Sequence, residues 1–228
     1  MTGVNDKLYI AGISSTKLGK RPDASVKQMV REAVEAALAD AGASVGDIDA
    51  AWFSNTRQPM LEGQNTVRGQ IALRPLGFES VPVVNIENAC ASGSSALIQA
   101  MAHLRAGMAD IALVVGAEKM VFPDRPEAMA AAFEGGTDIH DMEATKAFVR
   151  SLGGDADDES AGKRSIFMDL YAAQARAHMD RFGTTQEDFA AVAAKNHTHA
   201  RHNPLAQYRD PMSVEEVLAD KPIAFPFT

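Results

Sequence analysis

The sequence predicts a layered α/β fold with a mainly parallel sheet, and three observations lead there. From Leu8 to Gly116, apolar runs of strand length alternate with stretches of helical periodicity, the order that builds helices onto the faces of a sheet. The helical stretches close on glycine, at Gly42 and Gly107 and again at Gly183. The run Asp110–Gly116 (DIALVVG) is apolar almost throughout, as a strand covered on both faces requires.

Each element follows in order. Leu8–Ile13 is a short apolar run that ends at a Gly/Ser turn and counts as the first strand. From Ser25, apolar side chains recur at Val26, Met29, Val30, Ala33, Val34, Ala37, Leu38 and Ala41, which predicts a helix. Ala50–Asn55 reads as a strand, Asn65–Ala72 as a short helix, and Pro82–Ile86 as a strand with β-branched residues. A small-residue helix over Ala91–Ala106 then precedes the strand Asp110–Gly116. These elements make residues 1–120 the core. Residues 121–164 mix Pro, Met and Gly with the acidic run Gly153–Ser160, and read as an excursion, open between a solvated loop and a lid or substrate-facing insertion. Residues 165–228 return to helices: one from about Ser165 to Phe182, and one from Thr185 to about Arg201 with Thr184 and Glu187 at capping-box spacing. A short helix follows behind the Ser213/Glu216 pair. At the end, Ile223, Phe225 and Phe227 alternate with smaller residues like the approach to a strand, and are expected either to dock on another chain or to belong to one part of a larger unit.

Composition narrows the function. Thirty acidic against 22 basic residues give a net charge of −8, which opposes polyanions and removes nucleic acid as a partner. No run reaches the ~18–20 apolar residues of a membrane span, and the opening MTGVNDKLYI lacks the basic-then-apolar order of a signal peptide, so a cytoplasmic protein is expected. The single cysteine, Cys90, has no internal disulfide partner and is either a packed hydrophobe or a reactive thiol.

Its place in the chain bears on that choice. Cys90 stands between the strand ending near Ile86 and the small-residue helix ASGSSAL. Free amide N–H groups at a helix start stabilise negative charge on a sulfur, and small neighbours leave it unshielded. A nucleophilic thiol also needs a base and oxyanion donors. His103 lies thirteen residues along the same helix, on the order of 20 Å away by helical rise, and cannot be the base. His140, His178, His197, His199 and His202 are not placed as partners by sequence. His199 and His202 lack a third ligand at suitable spacing, so no metal is expected.

At Asn88–Leu97 the sequence NACASGSSAL resembles the nucleophile region of thiolases, especially the sterol-carrier-protein type. Three more segments match in register. Glu62–Leu73 (EGQNTVRGQIAL) is similar to the segment before the nucleophile strand, Leu113–Met120 (LVVGAEKM) to the strand and turn after the nucleophile helix, and Phe167–Ala200 to the segment where the loop domain rejoins the core. The resemblance implies the layered half-fold of a thiolase, with a mixed, mainly parallel sheet and an inserted loop region. Within it, Cys90 is the residue that takes the acyl group as a thioester.

Further expectations follow from the resemblance. Met168 matches the methionine that lines the acyl pocket, and Phe167 stands where many relatives have histidine. No cofactor is implied, since coenzyme A is a substrate; Lys163 and Arg164 are candidates to meet its phosphates. Gln64, Asn65 and Arg68 are expected near the two-fold axis of a homodimer. The second half of a thiolase carries a Gly-His-Pro histidine and a Cys-x-Gly cysteine, and neither motif occurs here. The expectation is therefore a thiolase-type acyltransferase subunit completed by a second polypeptide in a hetero-oligomer. A condensing synthase of the same superfamily and a non-catalytic thiolase-like binding subunit are the alternatives.

Overall fold

Strand β1 (Ala50–Ser54) is buried along its whole length, and its neighbours explain why. It runs between and parallel to β2 (Val83–Ile86) and β3 (Ala112–Gly116), with Trp52 paired to Val84 on one side and Val114 on the other. Period-2 alternation sends Ala51, Phe53, Leu113 and Val115 to one face. There they pack with Val26, Val30 and Val34 of α1 (Val26–Ala41) and with Leu73. Ala50, Trp52 and Ile86 turn to the opposite face, against Ala96 and Ala100 of α4 (Ser92–Arg105). Between β1 and β2 run two short helices, α2 (Gln58–Glu62) and α3 (Arg68–Leu73), the latter containing the buried Gly69, Ala72 and Leu73. The layered α/β architecture is the one expected, and the three described strands are all parallel.

The computed structural model describes residues 7–154 and 165–228, so Lys163, Arg164 and most of the acidic run lie outside the described residues. Two compact units divide the chain: Lys20–Met129 with the stretch up to Thr16, and Ala130–Thr228 with Lys17–Gly19. In the first unit, Leu8–Ile13 forms no strand. Its Gly12 lies so tightly on α1 that a Cβ would strike the Ala37 carbonyl, and Ile13 donates its N–H to the Asp40 carboxylate at 2.9 Å. Tyr9, Ile10 and Ile13 remain exposed. Helix α3 also starts three residues later than the pattern suggested, because Val67 takes a left-handed φ of +47°.

The excursion holds helices that the Pro/Gly texture concealed: α5 (Ala128–Glu134), and α6 (Met142–Ser151), whose N-cap Asp141 accepts from the Ala144 N–H. The second unit continues with α7 (Ile166–Phe182), α8 (Gln186–Ala200) and α9 (Val214–Leu218). Val149 and Ala173 form its small core with Leu152 and Leu170 beside them. The capping box of α8 is Thr185 with Asp188, one residue beyond the spacing read from Thr184 and Glu187. The Ser213/Glu216 box of α9 stands as expected. No strand forms at the end. The Phe227 ring packs edge-on against Phe189 at 5.7 Å, and the Phe225 and Pro226 carbonyls accept from Arg176 and Gln186. Ile223 and Phe225 stay exposed, so the expected docking surface at this end is reduced to those two side chains. Among the described residues no helix is long and apolar enough to cross a membrane.

Candidate active site

After β2 the chain must reverse into α4 within a few residues, and it does so through a strained turn. Ala89 holds a left-handed φ of +45°, a region costly for any residue with a Cβ, and Ala89–Ala91 form a 3-10 turn that runs into α4. Polar groups brace the turn. Ala89 donates its N–H to the Glu87 carboxylate at 2.7 Å. The buried Ser92 hydroxyl donates to the Ala89 carbonyl at 2.7 Å and accepts from the Asn88 N–H at 2.8 Å. The Asn88 amide reaches Ser95 at 2.9 Å. Cys90, at the middle of this turn, is exposed rather than packed as a core hydrophobe.

Cys90 opens onto a cleft of about 310 Å3 at the carboxyl ends of the three parallel strands. Ser54, Asn55 and Thr56 line it from the end of β1, Ala89, Ser92 and Gly93 from the turn after β2, and Gly116, Ala117 and Glu118 from the end of β3. Ligand clefts in open α/β sheets form at this end of the strands. Gly116 permits the close approach, since a Cβ there would strike the Ser54 hydroxyl.

Glu118 is the charged group of the cleft wall. Its carboxylate accepts from the Thr56 N–H at 2.8 Å, the Arg57 N–H at 3.1 Å and the Asn55 side-chain amide at 3.0 Å. Burial pushes its pKa above the ordinary glutamate value, against the hydrogen bonds and the Arg57 charge that pull it down. The Asn55 carbonyl oxygen in turn accepts from the Arg68 guanidinium at 3.0 Å, so its amide nitrogen faces Glu118 and the Ala117 carbonyl. The Thr56 hydroxyl lies 3.2 Å from the Ser92 hydroxyl and 3.3 Å from the Ala89 carbonyl.

Arg68, singled out from the sequence, thus joins the cleft wall through Asn55. Gln64 donates to the Thr66 carbonyl at 2.9 Å, and Asn65 is exposed. Phe167 and Met168 lie in the second unit, on the first turn of α7, where the Phe167 ring meets Phe133 edge-on at 6.3 Å. His103, set aside as a base, packs edge-on against Trp52 at 5.1 Å. Sequence reasoning missed Asn55, Thr56 and Glu118. A usable signal was present, since polar residues follow within two positions of the ends of β1 and β3, and both strands end at one edge of a parallel sheet.

Residues 8–221 match the family described as Thiolase, N-terminal domain. The acetyl-CoA acetyltransferase of Methanothermobacter thermautotrophicus is 33% identical over 218 residues, covering 95% of this chain and 51% of that protein. The benzoylsuccinyl-CoA thiolase subunit BbsB of Thauera aromatica is 30% identical over 226 residues, covering 97% and 51%. Sterol carrier protein 2 of Gallus gallus is 27% identical, covering 95% and 37%. A solved structure described as an Ltp2-ChsH2(DUF35) aldolase shares the fold, with a TM-score of 0.68 at 24% identity over 96% of this chain and 50% of that one. The chain spans about half the length of the first two of these relatives. With its strand, strained turn and helix around Cys90, and a match that runs almost from end to end, the chain belongs to the thiolase N-terminal domain family.

Proposed function

We propose that this chain is the nucleophile-bearing part of a thiolase-type acyl-CoA acyltransferase, in which Cys90 carries the acyl group. The observation that supports this most is the exposed Cys90 on a braced, strained turn at the mouth of the cleft. In thiolytic cleavage the Cys90 sulfur attacks the 3-keto carbon of a 3-ketoacyl-CoA. The bond between carbons 2 and 3 breaks, acetyl-CoA leaves as its carbanion and takes up a proton, and the acyl group stays on sulfur as a thioester. A CoA thiol then attacks that thioester, releasing the shortened acyl-CoA and freeing Cys90. Synthesis runs the same steps in reverse. Amide N–H groups at the start of α4 are suited to hold the oxyanion that forms on the attacked carbon, and Phe167 with Met168 would line the acyl pocket.

Proton transfer to and from the second substrate needs an acid/base group, and a second polypeptide carrying the other half of a thiolase would supply it. In keeping with a partner polypeptide, the Thauera relative is named as a subunit. A homodimer within that assembly would form along β2, whose outer edge has no strand partner among the described residues and where Val84 is exposed, with Gln64, Asn65 and Arg68 nearby in the first unit.

The test is direct. The chain, mixed with a complementary thiolase half, is given acetoacetyl-CoA and CoA, and Cys90 is followed by mass spectrometry. An acetyl adduct on Cys90, absent in Cys90→Ala, is the expected result. A complex that cleaves nothing and leaves Cys90 unmodified would overturn the acyltransferase reading in favour of a binding subunit.

A further inference from the structure

Among the described residues, Val67 and Ala89 are the non-glycine residues with positive φ, and each directly precedes a residue that the sequence singled out, Arg68 and Cys90. Such backbone costs free energy and persists only where the surroundings over-determine it. Both segments are tied to one small polar hub. Glu118 takes the Thr56 and Arg57 backbone N–H groups and the Asn55 side-chain amide, which fixes the three residues after β1. With its backbone held, Thr56 reaches the Ala89 carbonyl at 3.3 Å and Ser92 at 3.2 Å, bracing the Cys90 turn from across the cleft. From the same hub, the Asn55 carbonyl oxygen receives Arg68, the first residue of α3 after the strained Val67.

We propose that Glu118 is a positioning residue for the thiol: it holds the Cys90 turn in its left-handed form through Thr56 and links that turn to the Arg68 segment through Asn55. The proposal rests on the reading of Cys90 as the acyl-accepting group. Glu118 need not touch substrate. An acceptor with two oxygens is required at this point because three N–H groups converge on it, and neither alanine nor glutamine supplies that. The link also gives the Arg68 segment, where the homodimer is proposed, a physical route to the sulfur: a guanidinium shifted by a partner surface releases Asn55, and Asn55 shares Glu118 with Thr56.

The experiment measures the second-order rate of iodoacetamide alkylation at Cys90 in the 228-residue chain at neutral pH, with melting temperature followed in parallel. Glu118→Ala and Thr56→Val are each expected to slow labelling about fivefold, the scale of one lost net hydrogen bond. The double variant should be no slower than the slower single one, because both act through the same contact. Ala89→Gly, which takes a positive φ without cost, should restore at least half of the lost rate in the Glu118→Ala background. A purely structural staple between β1 and β3 would not be rescued this way. Arg68→Ala should slow labelling by less than Glu118→Ala. A folded Glu118→Ala chain with an unchanged labelling rate overturns the proposal, as does a rate that Ala89→Gly leaves low; should Glu118→Ala not fold, Thr56→Val decides by the same criterion. Acylation by acetoacetyl-CoA with the complementary thiolase half present separates the underlying reading: variant-dependent labelling without any acyl adduct on wild-type Cys90 in that complex would remove the acyltransferase role and keep the positioning role.

Discussion

In the first unit positive φ falls on an alanine and a valine as well as on glycines, whereas in the second the described positive φ values belong to Gly19, Gly153 and Gly183. The second unit ends its helices by ordinary means: α7 begins at the Ser165 cap and stops at Gly183, and α8 and α9 each carry a reciprocal capping box. The first unit accepts backbone strain and a half-buried carboxylate beside its cleft, and offsets them with a well-packed sheet. Local rules therefore hold best away from the chemistry, and their violations mark where the chain is held in place for a purpose.

Core substitutions sharpen the comparison most. Phe53 is fully buried at the centre of the first core, and Phe53→Ala should cost about 3–5 kcal/mol by denaturant unfolding. Val149→Ala, in the sparser second core, should cost about 2 kcal/mol. Similar losses at the two sites would contradict the view that the sheet carries the greater share. Next comes Gly69→Ala. The new Cβ would lie 2.5 Å from the Phe53 Cβ and 2.9 Å from a Val83 methyl, so overpacking should cost about 1–3 kcal/mol.

A pair of opposite sign tests the contrast itself. Ala89→Gly relieves a left-handed φ and should stabilise the chain by about 1 kcal/mol, while Gly183→Ala imposes one at the end of α7 and should destabilise by about 1 kcal/mol. Equal signs would break the argument.

The smallest effects concern pH. The Ile111 and then the Asp110 N–H hold the Asp49 carboxyl below its ordinary value, and the Thr185 N–H and then its hydroxyl do the same for Asp188. Stability from these groups is present above the ordinary aspartate pKa and lost as pH falls through the lowered folded value. Glu118 runs the other way, since burial raises it: its contribution is present below the ordinary glutamate pKa and lost as pH rises through the folded value. Asp49→Asn and Asp188→Asn should therefore lower the melting temperature at pH 7 and narrow that difference at pH 3, whereas Glu118→Gln should show no such narrowing.

Much of the fold was legible because period and punctuation agreed. The Val26/Val30/Val34 stripe and Gly42 define α1, and the apolar runs at Ala50–Ser54 and Ala112–Gly116 define strands. Leu8–Ile13 misled because an apolar run of strand length says nothing about whether an adjacent edge receives it. Helices α5 and α6 went unseen because their neighbours are rich in breakers and their own lengths are short. Cys90 was legible as a position, between strand and small-residue helix. Asn55, Thr56 and Glu118 were not, because they meet only when β1 and β3 pair in parallel register, a relation between residues more than sixty apart.

The sheet also has a colloidal side. Among the described residues the outer edge of β3 has no strand beside it, so Ala112–Gly116 presents backbone donors and acceptors without a ladder, in a unit that also exposes Tyr9, Ile10 and Ile13. An open, apolar strand edge recruits other extended chains irrespective of how stable the core behind it is. Self-association at that edge is therefore expected to be independent of the unfolding temperature, and a charged side chain introduced there should reduce it while leaving the melting curve where it was.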